Sequence, residues 1–293
     1  KKTRTLKKGY IFYGGESVAT ASGATVKIVL KNKSVVKVMP NSNIIINDVK
    51  FGKESDRYAF GVVKGGMSSK VSKLGQKDYY KVYGPTSVAG VRGTEFLVAV
   101  GVNGNTDVMV KEGAVSLEGE QKREAVKAGE KVEVSLTEEP KKEAVKEENL
   151  DKEFNSFVEK NEKVENPGET VGTANAKLEQ IEVNNAQKIA DLKKKEKLSE
   201  EEQDELDFLY QRSVNQSRSL YYLSESIFKK NKSNTLVKRN FYQVQKRLSS
   251  IEEQIADMDE FIEKVSKEIE DFTQDVSEDI DNMEENFLNK KNK

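Results

Sequence analysis

The hydrophobic period changes once along this 293-residue chain, near Leu136, and that change limits the fold more than any other feature. Before it, apolar residues come in short β-branched runs: Thr25–Leu30, Ser34–Val38, Ile44–Ile46, Tyr79–Tyr83 and Phe96–Val100. Runs of about 4–8 residues with partial alternation read as strands. Gly14-Gly15, Lys31-Asn32-Lys33, Gly65-Gly66 and Asn103-Gly104-Asn105 fall between runs, and the last predicts a hairpin. Many short strands joined by turns predict an all-β domain over residues 1–137, a sandwich, barrel or solenoid-like fold.

Residues 138–293 read as an all-α region of four helices. Pro140 suits a first helical position. Leu150, Phe154, Phe157 and Val158 follow at helical spacing, and Asn166-Pro167-Gly168 ends that stretch. Thr173 is expected to cap a second helix through Leu178, Ile181, Ile189 and Leu192. Ser199 with Glu202 forms a capping box in sequence and opens a third helix. Ser213, Ser217 and Ser224 lie on its apolar seam and predict close approach to a neighbour. Lys229–Asn234 is a short turn, so the third and fourth helices should form an antiparallel hairpin.

The fourth helix, over about 235–289, has the strongest period. Phe241, Val244, Leu248, Ile251, Ile255, Met258, Ile262, Val265, Ile269, Phe272 and Val276 alternate spacings of three and four. Ile280, Met283 and Phe287 continue after one extra step, a stutter. The pattern predicts a long coiled-coil helix of ~80 Å. The hairpin covers only its first half, so the face made by Ile262, Val265, Ile269, Phe272, Val276, Ile280, Met283 and Phe287 is expected to be an interaction strip.

Charge is split along the chain. Residues 1–139 carry 23 Lys/Arg against 15 Asp/Glu, while 140–293 carry 26 against 35. Halves of +8 and −9 favour docking of one on another, within or between chains. The stretch Leu209–Arg247 holds nine basic residues and one acidic, and Ile251–Glu285 fifteen acidic and two basic. Aromatic residues interleave with the basic ones, a pattern open to single-stranded nucleic acid, but no recognised binding motif accompanies it and none is expected as a partner.

The chain has no Cys, His or Trp. Disulfides, thiolate metal sites and a Cys nucleophile are excluded, and the commonest general base and metal ligand are missing. No paired-acid motif stands in for them, so no enzyme, metal or cofactor is expected. No apolar run reaches the ~20 residues of a membrane span.

Gly84-Pro85-Thr86-Ser87-Val88-Ala89-Gly90-Val91-Arg92-Gly93-Thr94-Glu95-Phe96 is the most distinctive run of the β half. A strand rather than a helix follows it, which argues against a phosphate cradle. The run resembles the signature of the FecR-type domain, a bacterial periplasmic module. The resemblance extends more loosely from about Leu6 to Val134, through Pro40-Asn41-Ser42, Lys111-Glu112-Gly113-Ala114-Val115 and Lys127-Ala128-Gly129-Glu130. It implies that Gly90, Arg92, Gly93, Thr94, Glu95 and Phe96 form a structural motif. Arg92 is expected to fold back on carbonyls or a carboxylate and pin the turn, with a ligand contact as the alternative. The resemblance also implies the periplasm, and with it that an export signal is missing from this sequence. Together with the uncovered seam it suggests a scaffolding protein that docks envelope, flagellar or filament proteins, or a second copy of itself. The alternatives are a regulatory module in envelope signalling and a binder of anionic cell-wall polymer.

Overall fold

The structure, a computed structural model, describes residues 4–51, 56–75, 78–118, 123–136, 138, 140–145, 149–195, 197–258, 260–261, 264 and 267. Thirteen strands come first: β1 (Ser17–Ala19), β2 (Val26–Val29), β3 (Val35–Val38), β4 (Asn43–Phe51), β5 (Asp56–Lys70), β6 (Tyr79–Tyr83) and β7 (Val88–Val91), then β8 (Glu95–Val100), β9 (Thr106–Glu112), β10 (Ala114–Glu118), β11 (Arg123–Lys127), β12 (Glu130–Val134) and β13 (Lys141–Ala144). Helices α1 (Leu150–Lys160), α2 (Pro167–Leu192) and α3 (Glu200–Lys230) follow, and α4 is described over 235–258.

The long strand β5 organises the sheet. Its first half pairs with β4 and, in parallel, with β6; its second half pairs with β3 and β8. This makes two wings joined along one strand, β1-β4-β5-β6-β7-β10-β11 and β2-β3-β5-β8-β9-β12-β13. Their inward faces share one core, in which Tyr58, Phe60, Tyr80, Phe96, Val98 and Val108 are fully or almost fully buried. Tyr80 of the first wing meets the Phe96 ring of the second edge-on, at 6.1 Å between centroids. Its hydroxyl lies 2.8 Å from that of Ser69.

Gly65-Gly66, expected to separate two strands, lies inside β5 at the crossing between wings. Gly65 has φ +73°, and a Cβ there would fall within 2.2 Å of the Ser42 hydroxyl oxygen. Only glycine keeps the strand continuous through such a bend. The other turns form as expected: Lys31-Asn32-Lys33 joins β2 to β3, and Asn103-Gly104-Asn105 joins β8 to β9.

Helix α1 covers the outer face of the second wing. Phe154 and Phe157, 2% and 5% exposed, pack on Met39, Leu97, Ala99 and Met109. Burying each ring contributes on the order of 1.5–3 kcal/mol. Helix α3 instead lies against β5 and β6 of the first wing, where Ala59, Tyr83 and Val88 form the buried outward cluster. It packs with α2 and α4 around Val171, Leu178, Leu220, Leu223, Val237, Phe241 and Val244.

Three helix expectations need correction. Pro140 leads into β13 rather than a helix, so the sheet runs past the expected boundary at 137 and α1 begins at Leu150, capped by Asn149. Thr173 lies inside α2, which starts with Asn166 at the N-cap and Pro167 in its first turn. Lastly, the seam from Phe241 to Met258 packs against two helices, α2 and α3, rather than α3 alone, with Leu248 half-buried. The strip Ile262, Val265, Ile269, Phe272, Val276, Ile280, Met283 and Phe287 lies outside the described residues. By contrast, Ser199 and Glu202 form the reciprocal capping box, and the Ser213 hydroxyl donates to Asn185 Oδ1 of α2 at 2.8 Å.

Candidate functional site

The distinctive glycine-rich run forms β7, a tight turn and the start of β8. Gly93 adopts φ +74°, the left-handed conformation that the turn requires. Thr94 is buried and its hydroxyl donates to the Ala114 carbonyl at 2.9 Å, tying the turn to β10. Gly90 sits mid-strand opposite Lys81 and Ser116. Phe96 is fully buried in the shared core.

Arg92 folds back on a carbonyl, but from an exposed position. Its Nε donates to the Leu74 carbonyl at 3.3 Å rather than to a set of buried acceptors. Its positive charge also acts on Asp78, whose carboxyl is held below the usual range mainly by the Asp56 and Gly75 backbone N–H groups. A partly screened guanidinium of this kind adds little energy to holding the turn.

Glu95 is the run's link to its surroundings. Lys70 and Lys111 each reach it at 3.0 Å. Burial works against its charge, but the two lysines outweigh that and hold its pKa below the ordinary carboxylate value. Glu95 lines an open groove of about 490 Å³, with Lys37, Ser68, Lys111 and the first residues of α1, Asn149, Leu150 and Asp151. Across it Lys37 pairs with Asp151 at 2.7 Å. The groove walls are mostly matched charges held in ion pairs, an arrangement that suits docking. Among the described residues no group of three or more acidic side chains is placed to hold a metal ion.

The far end of α1 is held by a polar cluster that sequence reasoning missed. Asn103 and Asn105 donate to Asn161 Oδ1 at 2.9 and 3.2 Å, and Asn105 also reaches Glu133 Oε1 at 3.2 Å. Lys160 pairs with Glu133, and Lys131 with Glu153 at 3.6 Å. Beside them Asp107 on β9 is only 4% exposed, with no hydrogen bond to its Oδ1. Burial, first of all, pushes its carboxyl up to about 7. Spacing along the chain gives no hint of this cluster, because register on the second wing and the docking of α1 bring its members together.

The comparisons with known proteins bear on the β half. Residues 16–116 match the model of the family described as FecR protein. The β half carries a FecR domain. That match takes in β1 through part of β10, including the Gly90–Phe96 run, and about a third of the chain. Strands β11–β13 and all the helices lie beyond it, so the groove at Glu95 forms where the FecR domain meets a helix outside the matched region. Two crystal structures of a candidate anti-sigma factor from Parabacteroides distasonis ATCC 8503 align over 44% of this chain at 16% identity, with a TM-score of 0.38. This chain spans 60% of that protein's length. No curated protein matches the sequence.

Proposed function

We propose that this chain is a non-enzymatic regulatory module of bacterial envelope signalling, acting on the periplasmic side through protein contacts made by its FecR domain and the helices packed on it. The observation that carries the reading is the FecR match over residues 16–116, with the helical region seated on both outer faces of that domain. Helices in direct contact with a domain can relay its state; a free spacer arm could not. Within the described residues no helix is long and apolar enough to cross a membrane.

The scaffolding reading expected first, including wall-linked and flagellar roles, draws on the Ile262–Phe287 face, which lies outside the described residues. What favours the regulatory reading is the FecR match over residues 16–116. Deleting the gene in its native host and measuring transcripts tests it. A regulator changes a defined set of transcripts, restored by the wild-type chain but not by one carrying Phe96→Asp. Unchanged transcription with a visibly altered envelope would favour the scaffold.

A further inference from the structure

Asp107 is an unusual residue to find beneath a helix. On β9 it faces outward with Met109, while Val108 and Val110 face the shared core. Its neighbours in register are Ala99 on β8 and Glu133 on β12. Helix α1 closes over this face through Phe154 and Phe157. The charged groups around Asp107 are Lys131 and Glu133 from β12 and Glu153 and Lys160 from α1, while β8 presents only Ala99. Those four form two ion pairs, Lys160–Glu133 and Lys131–Glu153, and Lys131 also meets Glu143 of β13 at 3.9 Å, so carboxylates already outnumber lysines without Asp107. A neutral Asp107 therefore adds no further negative charge to the seam under the helix. Ionised, it adds a buried negative charge between two carboxylates, with one oxygen lacking any donor.

We infer that α1 is a pH-responsive latch, closed over the outer face of the second wing when Asp107 is protonated and loosened when Asp107 ionises. Nothing in the regulatory reading requires this. The sign follows from where the proton sits. The closed state binds the Asp107 proton up to a pH of about 7, whereas an open, solvated aspartate releases it near its ordinary value of about 4. Closure is therefore favoured most at low pH, and is lost as pH rises through that window to a plateau above it. The opening equilibrium should rise about ten-fold between pH 6 and pH 8.

Hydrogen exchange of the full chain at those two pH values, corrected for intrinsic exchange, reads this directly. The segment 150–160 should lose protection as pH rises while 213–227 does not. Asp107→Asn, which mimics the protonated acid, should keep α1 closed at both pH values. Glu133→Gln removes a repelling carboxylate and should move the midpoint of opening to lower pH, which a purely structural role would not do. Equal pH response in both segments, or an unaltered response in Asp107→Asn, overturns the proposal. Should Asp107→Asn fail to fold, carbon NMR titration of the wild-type Asp107 carboxyl decides: a midpoint near 7 supports the latch, and one below about 5 overturns it.

Discussion

Helices α1 and α3 cover opposite outer faces of the same β domain, yet they hold on differently. Helix α3 has 31 residues and belongs to a bundle, so leaving the sheet would expose Leu220, Leu223 and Ile227 or drag α2 and α4 along. Helix α1 has 11 residues and, among the described residues, no helical neighbour in its own apolar cluster. It is held by two phenylalanines and by ion pairs at each end, Lys37–Asp151 at its start and Lys160–Glu133 at its finish. Cooperative units open with different free energies according to how much they bury. A cover tied into a bundle behaves as architecture, whereas a lone short cover over a buried acid can move.

The largest effect that could break this contrast lies in α3. Leu220→Ala should lower global stability by about 2–5 kcal/mol, because Leu220 is fully buried between helices. Denaturant unfolding should remain a single transition shifted to a lower midpoint. A separate early transition confined to the helices would show that α3 is not coupled to the sheet.

Next comes Gly66→Val. A Cβ at Gly66 would lie 2.8 Å from the Phe154 ring and 2.9 Å from the Val98 carbonyl oxygen. Overpacking of this sort costs about 1–3 kcal/mol. It should displace α1, raising exchange over 150–160 with the bundle unchanged.

Glu95→Gln should cost about 1 kcal/mol or less, since Lys70 and Lys111 are well exposed and solvent screens the pairs. Its pH signature opposes that of Asp107. A carboxyl held below its ordinary value adds stability that is present above that value and is lost as pH falls through the folded pKa. Comparing wild type with Glu95→Gln from pH 7 down to pH 3 should show the difference shrinking.

The smallest effect belongs to Arg92→Ala. An exposed side chain with one 3.3 Å hydrogen bond supports a loss of about 0.5–1 kcal/mol, less than a buried arginine in that turn would give. A loss several-fold larger in thermal unfolding would restore the pinning role.

Much of this architecture was legible in the residues. β-branched runs marked β2, β3, β6 and β8, and the reciprocal contact of Ser199 with Glu202 marked the start of α3, because each depends on neighbours close in sequence. Gly65-Gly66 misled because a glycine pair usually ends a strand; here it lets β5 bend and lets Phe154 approach. Pro140 and Thr173 carry helix-start chemistry, but β13 pairing and the Asn166-Pro167 start took precedence. The candidate site divided along the same line. The turn at Gly93, Thr94 and the Phe96 anchor is a local property, whereas the exposure of Arg92 and the burial of Asp107 depend on what packs above them.

Native-state hydrogen exchange of the full chain across low denaturant concentrations tests the contrast between the two covers most directly. Amides of α1 should exchange through a small opening, with weak denaturant dependence and a free energy below that of global unfolding, while 213–227 exchanges only through the global transition. Merging of the two segments into one isotherm, with equal free energy and slope, would contradict it.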